Sequence, residues 1–269
     1  MSTLRIAITG AAGRMGQELV RLVHQGEGTV VTVATEVPTH GQVGHDAGVV
    51  AGIGPIDVTV TPDLSHDIGR SDVVIDFSSP EATVRHAQIA GEAGVSMVIG
   101  TTGLSTDQAA HIASSMEGLP YIKAPNMSVG VNLVFKLLDM AARALTEEYD
   151  IEIIEAHHRH KVDAPSGTAL RMGEVVAAAR GVTLDTHGVF ARHGQTGARE
   201  PGSIGLQSLR MGDVAGEHTV MFAADGERVE IGHRASGRET FARGAIRAAR
   251  WVVTRPPGLY DMQDVLGLK

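Results

Sequence analysis

Apolar residues along this chain fall into two recurring patterns, and their order predicts the architecture. Residues 4–9 form a short apolar run. A glycine-rich turn follows, and then Leu19, Val20, Leu22 and Val23 repeat at the spacing of one helix face. Further apolar runs at 30–35, 58–60, 73–77, 95–99 and 119–123 alternate with a helical stretch at 81–93 and with a helix opening on Ser105-x-x-Gln108, a pairing in which each end caps the other's backbone N–H. Buried strands alternating with helices predict a parallel sheet with right-handed crossovers. Residues 37–57 are rich in Gly, Pro and His without a period, and predict a loop.

A helical pattern over 131–145 ends this alternation. Strand patterns then follow at 151–156, 188–192, 203–210, 218–223 and 228–233. Among them, Asp163, Pro165 and Ser166 are start signals for a helix through Ala169, Leu170, Met172, Val175 and Val176 to about residue 180. Short turns such as Asp225-Gly226 predict a mixed, mostly antiparallel sheet, making the second domain α+β. A last helix over 241–253 is expected to return to the first domain, and 258–268 to form a short capped tail. The expected division is 1–128 with 239–269 against 129–238.

Composition narrows the function classes. Of the 269 residues, 43% are hydrophobic and 20% charged, ordinary values for a globular chain of one large or two modest domains. No apolar run approaches membrane-spanning length. The net charge of -8 argues against a nucleic-acid surface, so any anion must be held by local clusters. There is no Cys, hence no disulfide, and the start lacks the basic and apolar regions of a signal peptide; a cytoplasmic location is expected. Thirty-three glycines against nine aromatic residues imply many tight turns.

Two clusters carry chemistry. Gly10-Ala11-Ala12-Gly13-Arg14-Met15-Gly16 lies between a strand and a helix, the context that makes a dinucleotide fingerprint meaningful. Its spacing is G-x-x-G-x-x-G, and a mononucleotide site or simple close packing stays open. Glu36, twenty residues beyond Gly16 at the end of the second strand, is placed to accept hydrogen bonds from ribose hydroxyls. Gly100-Thr101-Thr102-Gly103 ends another strand on the same rim. The second cluster is His157, His158, Arg159, His160 and Lys161, which leaves a strand and meets a helix start whose first turn holds Gly167 and Thr168. Positive side chains facing a helix N-terminus favour a ligand with carboxylates or phosphates. Zinc on His157 and His160 is disfavoured by Arg159 and Lys161 and by the lack of Cys, so no metal is expected. Crowded positive charge should move histidines toward neutrality at working pH, which suits acid–base work. Residues 192–202, polar and glycine-rich, have room to close over a ligand.

These segments resemble the dihydrodipicolinate reductase (4-hydroxy-tetrahydrodipicolinate reductase) family. The resemblance is carried by Gly10 to Gly16, Val98 to Gly103, Asn126-Met-Ser-Val-Gly-Val-Asn132, Glu155 to Thr168, and Gly212-Asp-Val-Ala-Gly-Glu-His-Thr219. It implies a Rossmann-like dinucleotide-binding domain, a second domain for substrate binding and oligomerisation, and reduction of a cyclic imine dicarboxylate in diaminopimelate and lysine biosynthesis. It further implies that Gly10, Ala11, Ala12, Gly13, Arg14 and Met15 hold the pyrophosphate and Glu36 the ribose. Gly100, Thr101, Thr102, Ala124, Pro125, Asn126 and Met127 would line the nicotinamide side. His157 resembles the proton donor or acceptor, Lys161 the proton donor, and His158, Gly167 and Thr168 the substrate contacts. The family implies a homotetramer. Some members carry Arg directly after the ribose acid; here that residue is Val37, with His40 nearby, so NADH is expected and NADPH stays open. A nucleotide-sensing module, or another NAD(P)-dependent dehydrogenase sharing the first domain, remains as the alternative reading.

Overall fold

The computed structural model describes residues 3–269. The chain begins with β1 (Leu4–Thr9), α1 (Arg14–Gln25), β2 (Thr29–Thr35), a one-turn α2 (Ala47–Val50), β3 (Val60–Thr61), β4 (Val73–Asp76), α3 (Pro80–Ala93), β5 (Ser96–Ile99), α4 (Thr106–Ser115) and β6 (Pro120–Lys123). It continues with α5 (Val129–Ala144), β7 (Asp150–His157), α6 (Gly167–Ala179), α7 (Leu184–His187), β8 (Gly188–Val189), β9 (Ile204–Arg210), β10 (Gly216–Ala224) and β11 (Glu227–Ala235). It closes with α8 (Glu239–Val252), β12 (Gly258–Tyr260) and α9 (Met262–Leu266). Two compact units result, 1–129 with 238–269, and 130–237. Among the described residues no helix is long and apolar enough to cross a membrane.

The first unit is a seven-stranded sheet in the order β12-β6-β5-β4-β1-β2-β3, parallel at every pairing. Strand order reverses between β4 and β1, and in open parallel sheets ligands bind at such a switch point, outside the carboxyl ends of the strands. β4 and β5 are buried along their whole length, because helices cover both faces. Local capping agrees with the pattern: Ser79 caps α3, and Ser105 with Gln108 forms the expected reciprocal box at α4. Helix α8 joins this unit's core, packing Ala242, Ala245, Ala248, Ala249 and Val252 with Leu19, Val20 and Val23 of α1.

The segment expected to be a loop has more order than its composition suggested. Asp46 accepts hydrogen bonds from the backbone N–H groups of Gly48, Val49, Ile56 and Val58, which nucleates α2 and folds the chain back onto β3. One carboxylate supplies the organisation that a hydrophobic period would otherwise have announced. The tail likewise contains a strand, β12, that extends the first sheet beside β6.

The second unit is a five-stranded sheet, β11-β10-β7-β9-β8. It is mixed and, by paired residues, mostly antiparallel, although two of its strand pairings are parallel. β10 pairs antiparallel with β7 and β11, while β9 runs parallel to β7 and β8. The hairpin turn signals the first arrangement only; α6 carries the chain across the sheet so that β9 re-enters parallel. β8 is two residues long, Gly188–Val189, where 188–192 was expected. α5 and α6 pack on one face through Leu138, Met172 and Val176 against Ile153, Leu206, Val220 and Phe222.

Close backbone contact makes one position in the first unit a sharp test of this packing. A Cβ on Gly244 of α8 would collide with the carbonyl oxygen of Met127, whereas at Gly69 nothing lies within 4 Å. Gly244→Ala should cost about 3 kcal/mol, the upper range for overpacking, and Gly69→Ala should change stability by less than about 0.5 kcal/mol, as surface substitutions do. Denaturant midpoints of the two variants check the contrast.

Candidate active site

On the first unit, the carboxyl ends of β1, β2, β4, β5 and β6 place the predicted cofactor residues along one rim. Gly10 turns the chain with φ of +64°, a left-handed value that favours glycine. Gly13 N–H then donates to Gly10 O at 3.0 Å, and Ala11 N–H to Thr35 O at 2.9 Å. Arg14 and Met15 begin α1. Gly16 is fixed by packing, since a Cβ there would strike Gly10 O. Glu36 is drawn against this turn: it accepts from Ala12 N–H at 3.1 Å and from Val37 N–H at 3.0 Å. A cavity of about 340 Å³ opens beside it, lined in part by Gly10, Glu36, Val37, Asp63, Arg85 and His86. His40 is not among its lining residues; it accepts instead from Gln42 N–H. The cation facing this cavity is Arg85 on α3, which local spacing around Glu36 had no means to indicate.

Gly100, Thr101 and Thr102 follow β5. Gly100 N–H donates to Asp76 O, and a side chain on Gly100 would overlap the Phe77 ring. Thr101 is buried and donates its hydroxyl to Asp76 Oδ1 at 2.9 Å, while Thr102 is exposed. Asp76 itself is inaccessible to water. Its Oδ1 also accepts from the Ser78 N–H and hydroxyl, and His86 Nδ1 lies 2.6 Å from Oδ2. Burial acts to raise its pKa, but His86 and Ser78 more than offset this and hold it below the usual carboxylate range. Ala124 and Met127 are buried after β6, Pro125 is exposed, and Asn126 Oδ1 accepts from Ser128 N–H at 2.8 Å.

On the second unit, β7 runs one residue further than its apolar pattern, to His157. Strand alternation puts Glu155 and His157, two apart, on the same face. Glu155 is 1% exposed. Its carboxylate lies 2.6 Å from His157 Nδ1, accepts two bonds from the Arg210 guanidinium at 2.8 and 2.9 Å, and accepts from Ser166 N–H at 3.1 Å. Burial works to raise the Glu155 pKa, yet the hydrogen bonds from Arg210, Ser208 and His157 hold it at about 2. His157 is lowered from its ordinary value, first by burial, with Lys161 and Arg210 contributing and Glu155 opposing. Crowded charge is therefore the smaller cause, and desolvation the larger. His218 on β10 packs edge-on against His157, with ring centroids 5.1 Å apart, and is pushed down to about 4 by burial and by His157. Ser166, whose hydroxyl caps α6 at Ala169 N–H, lies 3.0 Å from His218 Nε2.

Beyond His157 the chain makes a tight turn, with Lys161 N–H donating to His158 O at 3.1 Å and Arg159 N–H to Gly212 O at 3.2 Å. Lys161 thereby comes back toward His157, and its ammonium pairs with Asp163 at 2.8 Å. His158 is half-buried, with a buried Nδ1 that has no hydrogen-bond partner. Gly167 and Thr168 form the first turn of α6. Arg159 and His160 point to solvent. Among the described residues no group of three His, Cys, Asp or Glu is placed to hold a metal. The segment 192–202 is tied down: Arg192 and Arg199 both bind Glu152, and Arg199 also donates to Ile151 O. The sequence reading gives no role to Arg210, nor to Glu155 and His218, although these two lie in the segments that carry the resemblance. The i, i+2 step on β7 was a usable signal for Glu155; Arg210 and His218 arrive only through strand pairing.

Residues 4–127 match the family described as "Dihydrodipicolinate reductase, N-terminus", and residues 130–266 match "Dihydrodipicolinate reductase, C-terminus". The chain is 52% identical over 267 residues to a 4-hydroxy-tetrahydrodipicolinate reductase of Magnetococcus marinus, covering 99% of this chain and 100% of that protein. It is 54% identical over 265 residues to one of Anaeromyxobacter dehalogenans, covering 98% of each. Among solved structures, a dipicolinate-bound dihydrodipicolinate reductase from Paenisporosarcina sp. TG-14 is similar with a TM-score of 0.75 at 27% identity, over 98% of this chain and 99% of that one.

Proposed function

This chain belongs to the dihydrodipicolinate reductase family and is an NAD(P)H-dependent oxidoreductase acting on 4-hydroxy-tetrahydrodipicolinate in diaminopimelate and lysine biosynthesis, and we propose that its first unit, 1–129 with 238–269, holds the dinucleotide while the second, 130–237, holds the substrate. The observation that carries the substrate assignment is the placement of His157 and Lys161 beside the capped start of α6. A dicarboxylate needs positive charge and N–H donors, and both are present in that unit.

Substrate and product differ by a ring hydroxyl, so the reaction replaces hydroxide with hydride, expels water and consumes one proton. The reduced nicotinamide supplies the hydride when it is bound. The glycine turn fits such a group, because Gly16 leaves no room for a side chain over the turn and Glu36 stands ready at the end of β2. Gly10 to Met15 would hold the pyrophosphate and Glu36 the ribose, with Gly100 to Thr102 and Ala124 to Met127 on the nicotinamide side. Lys161 Nζ provides the proton, and His157 Nε2 takes or returns one. His158, Gly167 and Thr168 hold the carboxylates, so orientation and proton supply fall to different residues.

The homotetramer assembles through the second sheet. Its face opposite the helices presents Ile154, Leu209 and Met221, of which Leu209 is 47% exposed in the single chain, and such an uncovered apolar sheet face suits a symmetric contact. Light scattering at assay concentration should give four chains per particle; a monomer would reject this assembly.

NADH should be used at least as well as NADPH, because Glu36 meets a 2'-phosphate as like charge and Val37 offers it no donor. Arg85, lining the same cavity, is the cation that opposes this bias. Comparing kcat/KM for both cofactors at one ionic strength checks the order, and Arg85→Ala should lower the NADPH value more than the NADH value. A strong NADPH preference that survives Arg85→Ala would show that neither Glu36 nor Arg85 decides it.

Lys161→Ala should lower kcat by about 10²- to 10⁴-fold, the usual contribution of a general acid, with little change in KM. Thr168→Ala should mainly raise KM for substrate, and neither variant should alter NADH affinity. Steady-state kinetics with a fluorescence titration of NADH separates these effects. Near-normal kcat in Lys161→Ala would make that residue an electrostatic anchor and leave the proton to His157.

A further inference from the structure

A carboxylate almost sealed from water is expensive unless every lone pair is met by a donor, and the donors that Glu155 has gathered come from the parts of the second unit on which proton supply and substrate binding depend. His157 belongs to the first function. Ser166, whose backbone N–H reaches Glu155 and whose hydroxyl caps α6, sits one residue before Gly167 and Thr168. Arg210, from the end of β9, grips both carboxylate oxygens and also donates to Asp163 O. An ionised Glu155 can only accept, so the His157 nitrogen 2.6 Å away must carry a proton. That leaves Nε2 as the nitrogen free to gain or lose one. Gly216 keeps this edge of the ring clear, since a Cβ there would come within 3.1 Å of His157 Nε2.

We propose that Glu155 is the positioning residue of this site, fixing His157 with its proton on Nδ1 and Nε2 available to the substrate, and fastening the start of α6 to the same carboxylate. The inference rests on the reading of His157 as a proton-transfer group. When Nε2 gives up its proton, the imidazolium becomes neutral imidazole, and the remaining proton stays on Nδ1, still donated to Glu155. No other group need move. A carboxylate in this position also favours the imidazolium as it forms. The charged and titratable groups facing His157 are Glu155 on its own strand, Arg210 from β9, His218 from β10 and Lys161 from the following turn; only Glu155 favours protonation. Removing its charge leaves burial, Arg210 and Lys161 unopposed.

Glu155→Gln places an amide that can donate to Nδ1 and so reverse the tautomer. The variant should lose about 10²- to 10⁴-fold in kcat, the range for general acid–base catalysis, with KM for substrate within about threefold. The limb of the pH profile that reports loss of the His157 proton should move to lower pH by about one unit or more, equal to about a tenfold fall in proton affinity. A variant that loses activity only in proportion to its folded fraction, with both limbs unmoved, would overturn the proposal and leave Glu155 as a structural anchor. Because the substitution strands Arg210 and can prevent folding, a second measurement uses the wild-type holoenzyme. Neutron diffraction at pH 8 should find the hydrogen of His157 on Nδ1 and none on Glu155; a hydrogen on Nε2 with Nδ1 bare would refute the assignment. Normal kcat in His157→Gln would instead defeat the underlying reading of His157, leaving the neutron result to stand by itself.

Discussion

A carboxylate enclosed by protein stays ionised only if hydrogen-bond donors take the place of water, and satisfying that demand shapes both units. In the first, Asp76 at the end of β4 collects Ser78, Thr83, Thr101 and His86, and so fastens the chain after β5 to the chain after β4. In the second, Glu155 near the end of β7 collects His157, Ser166 and Arg210, fastening a strand end to a helix start and to a neighbouring strand. Both acids lie where parallel or mixed strands run out. Backbone bonds such as Arg159 N–H to Gly212 O and Gly100 N–H to Asp76 O add to what the two carboxylates hold. An apolar side chain at either position would be cheaper to bury, but it would bind none of these donors and would leave the rims unfixed.

Electrostatic tuning follows from the same enclosure. His157 and His218 touch edge to edge under little water, so both resist protonation, His218 the more because it is more deeply buried and no carboxylate bonds to it. The carboxylate beside His157 restores part of what burial takes away. A histidine fully neutral at working pH is a poor acid, and one fully charged is a poor base; the competition between burial and Glu155 sets the balance between them.

Much of this was legible in the sequence, and the exceptions have physical causes. Strand and helix periods marked β1, β4, β5, α1 and α6 because burial on a regular face leaves a regular trace. The glycine turn, Glu36 and the histidine run were visible because their partners lie close in sequence or at the ends of elements. Residues 37–57 hid their order because Asp46 supplies it through backbone N–H groups, which impose no side-chain pattern. The parallel placement of β9 was hidden because pairing direction depends on where α6 crosses. With it went Arg210, a residue whose local surroundings announce nothing. Arg85 was missed for a similar reason, reaching the cavity from a helix remote in sequence from Glu36.

The discontinuity of the first unit has a consequence for how the protein is made. Its sheet ends at β12 and its helical layer is completed by α8 and α9, all drawn from the last residues of the chain. During synthesis the dinucleotide rim emerges first, yet the alanine face of α8 that covers α1 emerges only after the whole second unit. Until then Leu19, Val20 and Val23, which share a core with Ile6, Ile8 and Val31, lack the alanine face of α8, while 130–237 already contains every element of its own sheet and core. Order of emergence and order of completion are thus reversed between the units: the first acquires α8, β12 and α9 only after every element of the second has been made.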